Sequence, residues 1–324
     1  MNFQTSVTDY GNTFKIAPKD KILALGSCFA SVVGKRLSDN QMKIILNPFG
    51  TLYNPKSIFY VLLLCLDWAE GKVDPNQLCN EVIFESNHGV WYSWLSSSAI
   101  QGSTREECRT SFLQVLDKVA SWLKELDVLM VTFGTTHYYS LKDDKRNLCV
   151  ANCHKMPASF FDEKEMTVEE IVKRFNLVVS RMRCVSPNVK VVTSVSPYRY
   201  LKYGLHKNQA SKATLFVALE QSMRESGNIF YFPAYEIVND ELRDYRFYAS
   251  DMVHPSSVAE DYIWEQFSLH YLDEQTLSFI EEWSPVVKMR EHKPSSPAAA
   301  THLNSIIKEK TDRLKLKYPS MFQL

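Results

Sequence analysis

The sequence predicts a three-layer α/β/α sandwich on a mostly parallel sheet of about five strands, with a C-terminal helical extension. Two observations carry this. From residue 21 onward, short runs of β-forming residues alternate with stretches of helical period, the pattern of strands joined by crossover helices. One run, VLMVTF (128–133), is apolar but for Thr132, like a parallel strand buried on both faces. A chain of 324 residues is long enough to bury the core such a sheet needs.

Taken in order, KILAL (21–25) reads as the first strand and FASVVGKRLSDN (29–40) as the helix after it. KIIL (43–46) is a second strand, and PKSIFYVLLLCLDWAEG (55–71) a buried helix ended by Gly71. EVIF (81–84) is a short strand of unassigned place. Within 104–126, Phe112, Val115, Leu116, Val119 and Leu123 recur on one side of a helix. After VLMVTF, YYSLKDDKRNLCVAN (138–152) has the pattern of a hairpin turning at Asp143–Lys145. Thr167 and Glu170 form a capping box that starts a helix. KVVTSVS (190–196) is a buried strand, ASKATLFVALEQSMRESG (210–227) a helix and IFYFPAY (229–235) the last strand. A second capping box, Ser257 to Glu260, opens another helix. Residues 1–272 are expected to form one domain. Residues 273–324 form a helical extension packed on it, with KPSSPAAA (293–300) between two helices.

Composition narrows the function classes. The hydrophobic share of 45% and charged share of 23% are ordinary for a globular protein. Lysine plus arginine equal aspartate plus glutamate at 37 each, which argues against a nucleic-acid partner. The longest apolar run, IFYVLLLCL (58–66), is too short for a membrane span. The first residues lack the basic-then-apolar order of a secretory signal, and the seven cysteines are scattered without a C-x-x-C pair. A cytoplasmic protein is expected, with neither a disulfide framework nor a structural zinc. No phosphate-binding or dinucleotide-binding glycine motif occurs, so no cofactor or metal is implied.

Ligand sites in parallel α/β folds lie beyond the carboxyl ends of the strands. Two places there carry chemistry. The first is Gly26-Ser27-Cys28, between the first strand and the first helix. A serine there has its hydroxyl at the sheet edge, beside helix N–H donors suited to an oxyanion. It could equally be an ordinary N-cap. The second is Asp251-Met252-Val253-His254-Pro255, in a loop before a helix. A carboxylate three residues from a histidine can accept its Nδ1–H and leave Nε2 free to take a proton from serine. It could also be a loop-capping aspartate beside a surface histidine. Cys28 is a competing nucleophile, being a thiol at a helix start.

Together these features resemble the GSCFA family, a branch of the SGNH/GDSL hydrolase superfamily. Gly26-Ser27-Cys28-Phe29-Ala30 spells the family's motif. NPFGTLYNP (47–55), FGT (133–135), ANCHKMP (151–157), SPYR (196–199), GLHKNQASKATL (204–215) and DMVHPS (251–256) agree with its pattern. The resemblance covers roughly residues 20–270 and implies a flavodoxin-like α/β/α fold. It makes Ser27 the nucleophile, His254 the base and Asp251 its orienting acid, with Ser27 Oγ roughly 3 Å from a His254 nitrogen. Gly50 is the glycine whose N–H would bind the oxyanion. The superfamily's oxyanion asparagine is missing: Thr136 stands in its place, and Asn152 on a neighbouring segment could supply the amide instead.

His137, His154 and His206 fall in loops beyond strands, where they could touch substrate or serve structure. Lys212, in a predicted helix, reads as a solvated lysine. Trp91, Tyr92 and Trp94 could stack on a sugar or pack in the core. The resemblance implies an ester hydrolase removing a small O-acyl group, acetyl above all, from a carbohydrate or similar polar alcohol. The same triad would serve an O-acyltransferase, and the missing asparagine leaves room for a silent ligand- or glycan-binding module.

Overall fold

The computed structural model describes residues 5–322 apart from 12–13, 143 and 145–147. Its centre is a five-stranded parallel sheet of β1 (Ile22–Gly26), β2 (Ile44–Leu46), β3 (Val128–Phe133), β4 (Lys190–Val195) and β5 (Ile229–Tyr231). The spatial order is β5-β4-β3-β1-β2, so the chain reverses direction across the sheet at β1 and β3. Crevices for ligands open at such reversals, beyond the strand carboxyl ends. Here that crevice falls beside Ser27.

The strands bury both faces because their side chains alternate. Leu23, Leu25, Leu129, Val131, Val191 and Val195 pack into one layer; Ile22, Val128 and Val192 pack into the other. The second layer holds α1 (Cys28–Asp39), while α2 (Pro55–Ala69), α3 (Arg105–Leu123), α4 (Val168–Val185) and α5 (Gly204–Ser226) build the first. The chain then returns to the second layer with α6 (Ser257–Tyr271), followed by α7 (Glu274–Glu291) and α8 (Pro297–Lys317). The extension is part of that layer's core: Phe279, Trp283 and Val286 of α7 are fully buried, and Trp283 Nε1–H donates to Asp39 O at 2.8 Å.

Local chemistry sets the helix starts. Asn54 accepts the Ser57 N–H, with Pro55 in the first turn of α2. The Thr167–Glu170 capping box is complete at the start of α4. The expected second box differs by one residue: Ser256, not Ser257, caps α6 by accepting the Ala259 N–H. Helix α5 starts at Gly204, six residues before the expected Ala210, because GLHKNQ continues the helix without an apolar stripe of its own. The last strand stops at Tyr231, and FPAY turns into short helical segments over Ala234–Leu242. The EVIF stretch splits into the end of a helix, Pro75–Val82, and a strand, Ile83–Glu85, in a small antiparallel sheet. The hairpin pairs His137–Leu141 with Cys149–Val150, and residues 143 and 145 of its expected turn lie outside the described residues. Phe161–Glu165 adds a third strand to it.

Candidate active site

Ser27 is the N-cap residue of α1, with extended backbone, yet its side chain caps nothing. Its Oγ is buried and has no hydrogen-bond partner among the described residues. An orphaned buried hydroxyl costs stability, so the plain N-cap explanation does not account for this serine. Gly26 makes the position attainable. Its backbone lies against Thr132 of β3, where a Cβ would meet the Thr132 carbonyl oxygen at 2.6 Å.

The motif segments around Ser27 interlock through backbone bonds. Asn47 Oδ1 accepts the Gly26 N–H at 2.9 Å, and Leu52 N–H donates to Gly26 O at 3.0 Å. Gly134 and Thr135 N–H both donate to Tyr53 O, at 2.7 and 3.2 Å. The loops after β1, β2 and β3 are thereby held as one unit.

His254 comes from the loop before α6. Its Nδ1 meets Asp251 Oδ2 at 2.6 Å, while Asp251 Oδ1 accepts the Val253 and His254 N–H groups at 2.9 and 3.0 Å. Those backbone donors, then the imidazole, hold the Asp251 carboxyl down at about 2, so it is ionised across the working pH range. The SPYR segment braces the loop: Arg199 N–H donates to Val253 O at 3.1 Å, and its guanidinium lies 4.0 Å from the Tyr248 ring centre. The Tyr198 ring sits 4.4 Å from the imidazole, centre to centre.

Ser27 and His254 line one cleft of about 270 Å³, walled by Phe29, Val32, Tyr53, Tyr198 and Tyr200. The expected Ser27–His254 hydrogen bond is not formed, since Ser27 Oγ has no partner. Such contacts often tighten only with substrate. Cys28, Val32 and Glu260 also border a second, polar groove of about 580 Å³ that runs between α1, α6 and α7 past Lys35, Trp264 and Lys288.

The other expected site residues lie elsewhere or are engaged. Gly50 N–H closes a turn onto Asn47 O at 2.8 Å; its positive φ and the Ser97 side chain pressed against it make it a turn glycine. The next residue, Thr51, lines the cleft, and its N–H has no partner among the described residues. Thr136 is buried away from the cleft, its Oγ1 on Ser211 Oγ at 3.0 Å. Asn152 is exposed and turns its own loop, accepting the His154 N–H at 2.7 Å. His154 is buried between Tyr92 and the Ser93 carbonyl, and burial lowers its pKa. His137 stacks on Tyr203, and its pKa too is lowered by burial against the pull of Glu165 and Glu163. His206 is exposed on α5. None of these three histidines lines the cleft. Trp94 stacks on Phe84 in the small sheet, as a core residue.

Lys212 is the residue the sequence misrepresents most. It is 1% exposed, with Nζ donating to Gly134 O at 2.6 Å and Ser196 O at 2.7 Å. Burial pulls its pKa down to about 7, against which the two carbonyl contacts favour the ammonium.

A model of the GSCFA family matches residues 21–267. The chain belongs to the GSCFA family. No curated protein matches it. The GSCFA letters are Gly26–Ala30, the strand-to-helix turn that exposes Ser27 to the cleft. The match ends inside α6, so α7, one wall of the polar groove, lies beyond it. Among the described residues no helix is long and apolar enough to cross a membrane, and no cluster of three His, Cys, Asp or Glu could hold a metal.

Proposed function

We propose that this GSCFA protein is a serine ester hydrolase of SGNH/GDSL type, with Ser27 as nucleophile, His254 as base and Asp251 as its orienting acid. The observation that carries the reading is the unpartnered Ser27 hydroxyl at a helix N-terminus, sharing a cleft with a histidine already bound to an aspartate. Ser27 Oγ would attack the ester carbonyl carbon as its proton passes to His254. The tetrahedral oxyanion would collapse to an acyl-enzyme, expelling the alcohol, which takes that proton. Water would then repeat the sequence and release the acid. The Thr51, Cys28 and Phe29 N–H groups are the donors available to the oxyanion, the Ala30 N–H being bonded to Ser27 O. The cleft would take the acyl group and the adjoining polar groove a carbohydrate or similar polyhydroxy alcohol; that the acyl group is small, acetyl above all, follows from the resemblance to the SGNH/GDSL superfamily.

Hydrolysis of p-nitrophenyl acetate tests this. Ser27→Ala should lower turnover at least ~10³-fold while keeping the fold, and a fluorophosphonate should label Ser27, located by peptide mass spectrometry. Cys28→Ala is the control and should stay active. Activity that survives Ser27→Ala but not Cys28→Ala would move the nucleophile to the thiol. Absence of both turnover and labelling in the unaltered protein would refute the hydrolase reading and favour a binding module.

A further inference from the structure

The buried cation of α5 has no role in the triad, yet it stands directly behind the active-site wall. Lys212 Nζ touches Gly134 O, and a Cβ placed on Gly134 would lie 3.8 Å from Ser27 Cβ. Its second bond, to Ser196 O, joins the segment after β4 to the segment after β3. Among the described residues no carboxylate pairs with this ammonium, and its surroundings are otherwise sealed from solvent. An unpaired charge so deeply buried is costly, and an apolar chain of similar length would fill the same space at less cost. The neighbours on α5 repeat the arrangement. Ser211 Oγ accepts the Thr136 N–H at 2.8 Å and contacts Thr135 Oγ1 at 3.1 Å, while Asn208 Oδ1 accepts the Tyr200 N–H at 2.9 Å. One helix turn thus holds both loops that wall the cleft on its strand-end side, through Thr135 and Tyr200.

The chemistry at Ser27 explains what a cation adds there. Carbonyl oxygens at the carboxyl ends of β3 and β4 place negative partial charge near the spot where the ester oxygen becomes negative. A carbonyl turned into the cleft would repel it. Binding the Gly134 carbonyl from behind turns it away and sets a positive charge beyond it. Preorganised charge in a site that excludes water acts strongly on a developing oxyanion. We propose that Lys212 is a positioning residue for acyl transfer, holding the Gly134 carbonyl out of the cleft and supplying positive charge behind the wall facing the oxyanion. This rests on the reading of Ser27 as nucleophile, and it offers a buried ammonium where the superfamily's asparagine is missing.

The test is the rate at which a fluorophosphonate modifies Ser27, a step in which Ser27 Oγ bonds to phosphorus, fluoride leaves and the serine proton passes to His254. Lys212→Met should lower the maximal modification rate roughly tenfold to a hundredfold, below the loss typical of a direct oxyanion donor. The concentration giving half that rate should stay within about threefold, and the melting temperature should hold or rise because a buried charge is gone. Lys212→Gln, which keeps a donor for one carbonyl but not the charge, should recover only part of the rate. A folded Lys212→Met protein modified at the unaltered rate would overturn the proposal and leave Ser27 as nucleophile. Failure of both variants to fold would overturn it too, by making Lys212 a requirement of the fold. If Ser27 of the unaltered protein takes no label, the nucleophile reading fails and the role of Lys212 falls with it.

Discussion

Gly26→Ala is the sharpest perturbation of the setting of Ser27, the proposed nucleophile, that alters none of the proposed catalytic side chains. Gly26 closes β1 opposite Thr132 of β3, at φ +156°. An added Cβ would sit 2.6 Å from Thr132 O and 2.9 Å from both Thr132 N and Cβ. Two of those atoms are backbone, so no side-chain rotation relieves the contact. Reaching the 3.4 Å of an ordinary contact requires the strands to part by about 0.8 Å. The Ser27 N–H bond to Thr132 O, already 3.3 Å long, would be lost with that movement. Overpacking of this kind costs about 1–3 kcal/mol. A displacement approaching 1 Å at a reacting group lowers turnover by about 10²-fold. Gly26→Ala should therefore remain folded, with a reduced urea midpoint and kcat for p-nitrophenyl acetate lowered on the order of 50-fold or more. Gly71→Ala is the comparison, because Gly71 also has positive φ (+69°) but open space around it. It should cost about 1–2 kcal/mol and leave kcat unchanged. A folded Gly26→Ala protein with unaltered kcat would show that strand-end placement of Ser27 does not set its reactivity. Equal losses in both variants would reduce the effect to general destabilisation.

The extension and the buried histidines give two further expectations. Trp283→Ala in α7 removes a fully buried ring stacked on Phe279 and orphans the Asp39 carbonyl; it should cost about 3–5 kcal/mol, read as a lowered urea midpoint. An unchanged midpoint would mean that α7 adds nothing to the core. Burial holds His137, His154 and His270 below the ordinary 6.5, so under that pH the unfolded chain binds more protons than the folded one. Their contribution is complete above about 6.5 and declines as pH falls toward the folded pKa values. The urea midpoint should drop from pH 7 to pH 5, and less steeply in His154→Gln; an identical slope in that variant would exclude His154 as a source.

The alternation of strands and helices was legible because its physical cause is in the residue pattern. VLMVTF is apolar but for Thr132 and is buried at both faces, and Thr167-x-x-Glu170 starts a helix where the capping geometry demands one. Gly26-Ser27 and Asp251-x-x-His254 were legible for the same reason, since each pair occupies a strand end or a loop where few other side chains compete. The small sheet and the start of α5 were not, because short strands such as Trp91–Ser93 and the weakly amphipathic GLHKNQ carry little periodic signal. Lys212 left a faint trace. It lies on the stripe of Asn208, Ser211, Leu215, Ala218 and Leu219, all buried, and a lysine on the apolar side of a helix calls for a partner inside.

The oxyanion donors mark where side-chain reading reaches its limit. The resemblance points to Gly50, after the second strand, as an oxyanion donor, yet its N–H is taken by the turn that its positive φ makes possible. The adjacent Thr51 lines the cleft and its N–H has no partner among the described residues; any residue type would have carried one there. Thr136 stands where the superfamily has its oxyanion asparagine, and Asn152 on a neighbouring segment carries an amide. The structure commits Thr136 to Ser211 and Asn152 to its own loop. A hydroxyl or amide already satisfied gives less to a transient charge than a donor held ready for it, since breaking its existing bond subtracts from the gain. On the proposed reading, the groups held ready in this cleft are backbone N–H donors and, one peptide behind the wall, the Lys212 ammonium. If Ser27 is the nucleophile, the chemistry of the site is set by how the loops after β1, β2 and β3 interlock, and the side-chain motif marks only where that interlocking occurs.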